Sequence, residues 1–153
     1  MLVIAGVGWY FYTSPRGEEA PNPDSNANVS GMLAEDNAVV AMEQRPGNTV
    51  TVSAVYLAEP GYVVIHESAD GAPGAILGAS ALLSAGENRN VVVTLNRAAL
   101  EGEELNAMLH TDADADGSFS ASTDIPVESR LGGPINGWFL VTVSASEDVP
   151  VSI

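Results

Sequence analysis

Residues 105–119 read LNAMLHTDADADGSF and join a strand pattern to an acidic loop. In the first six residues, Leu105, Ala107 and Leu109 fall on one face of a pleated strand, and the three residues between and after them fall on the other. Such alternation is typical of a strand with one face against a hydrophobic core. The segment therefore predicts a strand that ends directly at a cluster of carboxylates.

The acidic loop has the spacing of a calcium-binding loop. Asp112, Asp114 and Asp116 alternate with small residues and are followed by Gly117. Three carboxylates so close together repel one another unless a cation or solvent screens them. Aspartates at positions one, three and five, with glycine at six, match the first half of a calcium loop, in which position seven, here Ser118, contributes its backbone carbonyl. The spacing predicts a bound Ca²⁺ ion.

The second half of that pattern is incomplete. Position twelve is Thr123, where an EF-hand carries a bidentate glutamate, and Asp124 stands one place further on as a possible substitute. A strand precedes the loop, so the prediction is a calcium loop within a β scaffold, with a dissociation constant of roughly 0.1–1 mM. The alternative reading is a solvated acidic turn between two strands.

Short strand patterns continue on both sides of this segment. They are separated by turns rich in glycine and proline, and no stretch with helical periodicity is long enough to connect parallel strands. The predicted strands are 37–43, 49–56, 62–67, 90–95, 105–110 and 137–144, with a possible edge strand at 149–153. Residues 68–80 are predicted to form a loop with one short apolar piece. This spacing predicts an all-β protein, an antiparallel immunoglobulin-like β-sandwich.

Composition narrows the classes of partner and chemistry. The chain of 153 residues carries 20 acidic and 5 basic residues, for a formal net charge of -15. So acidic a surface repels nucleic acid and anionic lipid headgroups, and we expect no nucleic-acid partner. The absence of cysteine removes disulfides, thiol catalysis and thiolate zinc sites together.

The N-terminal part of the sequence differs from the rest. Residues 1–13 form a hydrophobic segment with an aromatic cluster at 9–12, shorter than the about 20 residues that span a bilayer. We interpret it as a truncated membrane anchor, with a signal-peptide remnant or an apolar element packed on the domain as alternatives. Residues 14–28 predict a Pro-rich acidic linker, and 29–153 the β-sandwich domain. An anchored or secreted extracytoplasmic location follows, with the membrane as a partner through the N-terminal segment.

The sequence contains two histidines, His66 and His110, both near the ends of predicted strands. If those strands are neighbours, the two rings can converge on a metal ion together with an acidic residue. The alternative is a histidine that is hydrogen-bonded at the rim of the sandwich. No serine lies in the context of a catalytic nucleophile, so we expect a protein that is not an enzyme.

Four segments together resemble a known group: GYVVIHE at 61–67, GAPGAILGAS at 71–80, NVVVTL at 90–95 and AMLHTD at 107–112. The chain resembles a domain-of-unknown-function family found in secreted and surface proteins of haloarchaea and bacteria, often behind an N-terminal anchor and linker. The resemblance covers roughly residues 38–124. It implies a role for both histidines and for the acidic loop at 112–117, and it supplies no established activity.

These observations favour a non-enzymatic extracytoplasmic surface domain that serves in envelope structure, adhesion or ligand binding. Its acidic loop would hold calcium weakly. The alternative function is a metal-dependent enzyme or metal carrier that uses His66 and His110.

Overall fold

Antiparallel β-strands form the secondary structure of residues 36–146, which are the residues that the computed structural model describes. The predicted anchor at 1–13, linker at 14–28 and edge strand at 149–153 lie outside them. The strands are β1 (Ala38–Val40), β2 (Gly47–Leu57), β3 (Gly61–Ala69), β4 (Ala72–Ala79), β5 (Gly86–Ala99), β6 (Glu104–Thr111) and β7 (Asn136–Leu140). Within this part of the chain, no helix is long and apolar enough to cross a membrane.

The strands form two sheets with the order β1-β2-β5 and β4-β3-β6-β7. Every pairing between strands is antiparallel. In immunoglobulin lettering these orders are A-B-E and C′-C-F-G, so the fourth strand pairs with the third and not with the fifth. The predicted all-β immunoglobulin-like sandwich is confirmed.

The hydrophobic core lies between the inner faces of the two sheets. It follows from alternation along the strands, because β5, β3 and β6 contribute apolar side chains to it at every second position, while β2 does so with one change of phase, between Val52 and Val55. The largest fully buried aliphatic side chains of this core are Ile65, Leu105, Leu109, Val50, Val52, Val55, Val63, Val93 and Val141. Phe139 of β7 joins this core, as its apolar character predicts, while Trp138 beside it is half-buried.

The prediction of a loop at residues 68–80 is wrong, because most of these residues form β4. Asp70 and Gly71 take positive φ angles of 53° and 79°, which allows a two-residue hairpin between Ala69 and Ala72. Pro73 is tolerated because β4 is the edge strand of its sheet and no neighbour needs its missing N–H group. The glycines and the proline in this segment therefore mask the strand in the sequence pattern. The strand is stabilised by its pairing with β3.

The two sheets approach each other closely where β4 meets β5. A methyl group on Gly78 would overlap the backbone carbonyl oxygen of Thr94. Nearby, the side-chain amide of Asn96 donates a hydrogen bond of 3.2 Å to the carbonyl of Ile76. Only glycine permits this backbone approach, because any Cβ atom would fill the gap between the strands.

We expect Gly78→Ala to lower the free energy of unfolding by about 2 kcal/mol, because the new methyl group forces β4 away from β5. Gly47→Ala is the matched control, since a Cβ there meets nothing within 4 Å. Urea denaturation of both variants measures the difference. Equal stability of the two variants would contradict the close approach.

Candidate functional site

The acidic loop after β6 brings three carboxylates together. One side-chain oxygen from each of Asp112, Asp114 and Asp116 lies within 4.8 Å of the others. At such distances each pair of charges repels by roughly 1 kcal/mol even at the dielectric constant of water. The chain turns sharply here because Ala115 and Gly117 have φ angles of 56° and 74°. Glycine thus occupies the turn position that a calcium loop requires.

Backbone hydrogen bonds shape the loop from within. The amide of Asp116 donates to the carboxylate of Asp114 at 3.4 Å, and the amide of Ser118 donates to the carboxylate of Asp116 at 2.7 Å. These are Asx turns, in which an aspartate side chain takes the place of a backbone carbonyl. They hold the carboxylates of Asp114 and Asp116 against the loop backbone, beside Asp112.

Asp124 acts as the internal anchor of the loop. Its side chain is buried, and its two carboxylate oxygens accept hydrogen bonds from the amides of Ala113 (3.0 Å) and Ser120 (2.7 Å). Its backbone carbonyl accepts a bond of 2.8 Å from Nδ1 of His110. The sequence proposes Asp124 as a calcium ligand. The structure places it outside the group of three aspartates and ties the loop to β6 through it.

Tyr62 brings a buried hydroxyl group toward the same carboxylates. The residue is 1% exposed, and its hydroxyl has no hydrogen-bond partner. Burial, followed by the charges of Asp112 and Asp124 and by the approach of the hydroxyl to the Asp112 carboxylate, raises the pKa of Tyr62 to about 12. One carboxylate oxygen of Asp112 is likewise buried and without a partner. The hydroxyl of Tyr62 and the carboxylate of Asp112 thus lie close together without a well-formed hydrogen bond, and a bridging water or ion would satisfy both.

The two histidines lie on neighbouring strands but are not directly opposite each other. In the β3–β6 register His66 faces Asn106 and His110 faces Tyr62. His66 and Tyr62 are four residues apart, or about 13 Å along a strand. The imidazole centroids nevertheless stand 5.6 Å apart, with their planes 18° from parallel. The two side chains therefore lean toward each other from opposite ends of the paired segment.

A backbone carbonyl fixes the orientation of each imidazole. Nδ1 of His66 lies 3.0 Å from the carbonyl oxygen of Gly74, and Nδ1 of His110 lies 2.8 Å from that of Asp124. Because a carbonyl oxygen can only accept, the neutral rings carry their proton on Nδ1 and a lone pair on Nε2. Burial lowers the pKa of His110, which favours the neutral ring. Both Nε2 atoms are buried and have no hydrogen-bond partner.

Phe119 connects the acidic loop with Tyr62 and His110. Its ring packs edge-on against Tyr62 at 5.5 Å and against His110 at 5.4 Å between centroids. Tyr62, Asn106 and Phe119 are the site residues that the sequence analysis missed. Alternation does place Tyr62 on the face of His66, and Phe119 is the one aromatic residue in an otherwise small and polar loop. The register of β3 against β6, which brings these residues together, could not be predicted from the sequence.

Comparison with protein families identifies the domain. A family described as a domain of unknown function, DUF7282, matches residues 37–138, or two thirds of the chain. The chain belongs to the DUF7282 family. The resemblance to a domain-of-unknown-function family is thereby confirmed, and the matched residues include both histidines and the whole acidic loop. No curated protein and no solved structure matches the chain.

In this DUF7282 domain we expect Asp124→Asn to lower the free energy of unfolding by about 1–3 kcal/mol. The side-chain NH₂ group of the asparagine would face one of the two backbone N–H groups that now donate to Asp124. That backbone N–H group would lose its hydrogen bond. Asp70→Asn is the control of equal charge, since Asp70 is exposed in a turn at the far end of β3, where asparagine also tolerates a positive φ. Urea denaturation compares them. An Asp124 variant as stable as its control would contradict the anchoring role.

Proposed function

We propose that this DUF7282 domain is a non-enzymatic extracytoplasmic surface domain whose acidic loop binds Ca²⁺. The observation that carries the proposal is the convergence of Asp112, Asp114 and Asp116 beside the buried, unpaired hydroxyl of Tyr62. A hard cation with oxygen ligands fits this donor set, which offers carboxylates and no thiolate.

The ion would act on stability through charge. Three aspartates, close together on one turn, oppose the folded loop by their mutual repulsion, and a divalent cation replaces that repulsion by attraction. Asp124 already holds both ends of the loop from inside, through the amides of Ala113 and Ser120. Calcium would therefore bind to a loop that is largely preorganised and would stabilise the fold by mass action.

The affinity that we expect is low. The loop provides three aspartates and the predicted carbonyl of Ser118, and it lacks the bidentate glutamate that closes an EF-hand. Both oxygens of Asp124 already accept amide hydrogen bonds, so the fourth carboxylate serves in positioning. A dissociation constant of roughly 0.1–1 mM, typical of extracellular modules, suits surroundings in which calcium is abundant.

Display at the cell surface is the second part of the proposal. The net charge of -15 of the whole chain favours solubility and repels nucleic acid. The hydrophobic residues 1–13 and the acidic, Pro-rich residues 14–28 have the composition of an anchor and a stalk. The domain would then serve in envelope structure, adhesion or ligand binding outside the cytoplasm.

We expect calcium to raise the melting temperature of the wild-type domain. At a free concentration tenfold above the dissociation constant, mass action contributes about 1.4 kcal/mol, or a shift of roughly 5 °C. Asp114→Asn should lose most of this shift, because it removes one of the three charges. Asp70→Asn, in the turn between β3 and β4, should keep it. Thermal unfolding in calcium and in chelator measures all three.

Magnesium provides a second control for the calcium experiment. Mg²⁺ requires a near-ideal octahedral site and loses its water reluctantly, so it should stabilise the wild type less than Ca²⁺ does. An equal response to both ions, retained in Asp114→Asn, would point to general screening of an acidic surface. That result would contradict a specific calcium loop.

We expect the full chain to be found with the membrane fraction of cells that express it, and deletion of residues 1–13 to release it. The physical reason is that the apolar segment supplies the hydrophobic contact with lipid. Fractionation measures the difference, and protease added to intact cells tests the side of the membrane. Equal release of both forms would contradict anchoring by this segment.

A further inference from the structure

We propose that His66 and His110 form a second metal site, for a transition metal of the copper or zinc class, bound through their Nε2 atoms. Both rings are more than nine-tenths buried, both Nε2 atoms lack a partner, and the sequence contains no other histidine. A carbonyl bonded to Nδ1, with a free lone pair on Nε2, is the arrangement that orients metal-binding histidines.

The distance between the rings suits one ion bound to both. With a metal–nitrogen bond of about 2.1 Å, each ring centroid lies roughly 3.2 Å from the ion, so two centroids stand about 5.2 Å apart at a tetrahedral angle and about 6.4 Å apart when opposite. The observed separation is 5.6 Å. The ring planes stand 18° from parallel, an angle that two imidazoles on one ion can adopt, and the Cβ–Cγ torsion that adjusts the direction of each Nε2 is soft in histidine.

Asn106 provides an oxygen donor beside the pair. It stands directly opposite His66 in the register, is fully buried, and neither atom of its side-chain amide has a hydrogen-bond partner. Burying a side-chain amide without hydrogen-bond partners costs free energy, and a metal bound to its oxygen would offset part of that cost. The amide oxygen of Asn106 would be the third ligand of the ion.

This site is independent of the calcium proposal. The acidic loop offers oxygen ligands for a hard cation, whereas two imidazoles favour copper, zinc or nickel. The two sites share no proposed ligand, although Asp124 and Phe119 contact His110 from the loop. Each can therefore be removed without deleting a ligand of the other.

The test is titration of the whole chain with Cu²⁺ in the presence of excess Ca²⁺, which occupies exposed carboxylates. Pulsed electron paramagnetic resonance then counts the imidazole nitrogens on the copper. We expect one equivalent bound with two imidazoles in the wild type. His66→Asn and His110→Asn should each show one imidazole and at least tenfold weaker binding. A wild-type spectrum without imidazole, or single variants that bind as tightly as the wild type, would overturn the proposal.

Two further variants separate the sites. Asp114→Asn should lose the thermal response to calcium and keep the two-imidazole copper signal. Asn106→Ala should weaken copper binding and keep the calcium response. Because the wild-type spectrum alone decides whether the histidines hold the ion, the proposal stays open to refutation even if a histidine variant fails to fold. A copper signal lost in Asp114→Asn and kept in both histidine variants would assign the ion to the acidic loop and reject this site.

Discussion

The antiparallel pairing of β3 with β6 is the constraint on which the rest of the structure depends. It lies at the centre of the four-stranded sheet and aligns Gly61 with Thr111 and Glu67 with Leu105. On the inner face this register completes the hydrophobic core against the other sheet. On the outer face the same register decides that His66 is opposite Asn106 and that the two imidazoles meet at an offset. A shift by one residue would exchange the two faces and lose both features.

The acidic loop is attached to this outer face by three separate contacts. The carbonyl of Asp124 accepts a hydrogen bond from His110, and the ring of Phe119 packs against Tyr62 and against His110. The loop is therefore part of the sheet's surface layer. Asp124 and Phe119 both contact His110, so the loop and the histidine pair share neighbouring residues while their proposed ligands differ.

The strands of the sandwich were easier to predict from the sequence than the residues that surround the acidic loop and the histidines. Alternation in β2, β5 and β6 was readable because the aliphatic residues of the core recur at every second position, although β2 changes phase after Val52 and β6 buries its other face as well. The spacing of the aspartates predicted their cluster. The hairpin of β3 with β4 was missed, since Pro73, Gly74 and Gly78 argue against a strand by local preference. Its stability comes from pairing and from the close contact of Gly78 with Thr94, and neither appears in local sequence. Tyr62 and Phe119 were missed for a similar reason, because aromatic residues in a β domain are usually core.

By itself, the sequence determined an all-β sandwich and a turn that gathers Asp112, Asp114 and Asp116, because period-two hydrophobicity and loop spacing are local properties that the backbone converts directly into structure. Only the tertiary structure decided that Asp124 anchors the loop, that Tyr62 faces it, and that His66 and His110 approach each other. Those relations depend on strand register and on how the loop folds back over the sheet. Register is fixed by the sum of core contacts over two whole strands, which no single motif encodes.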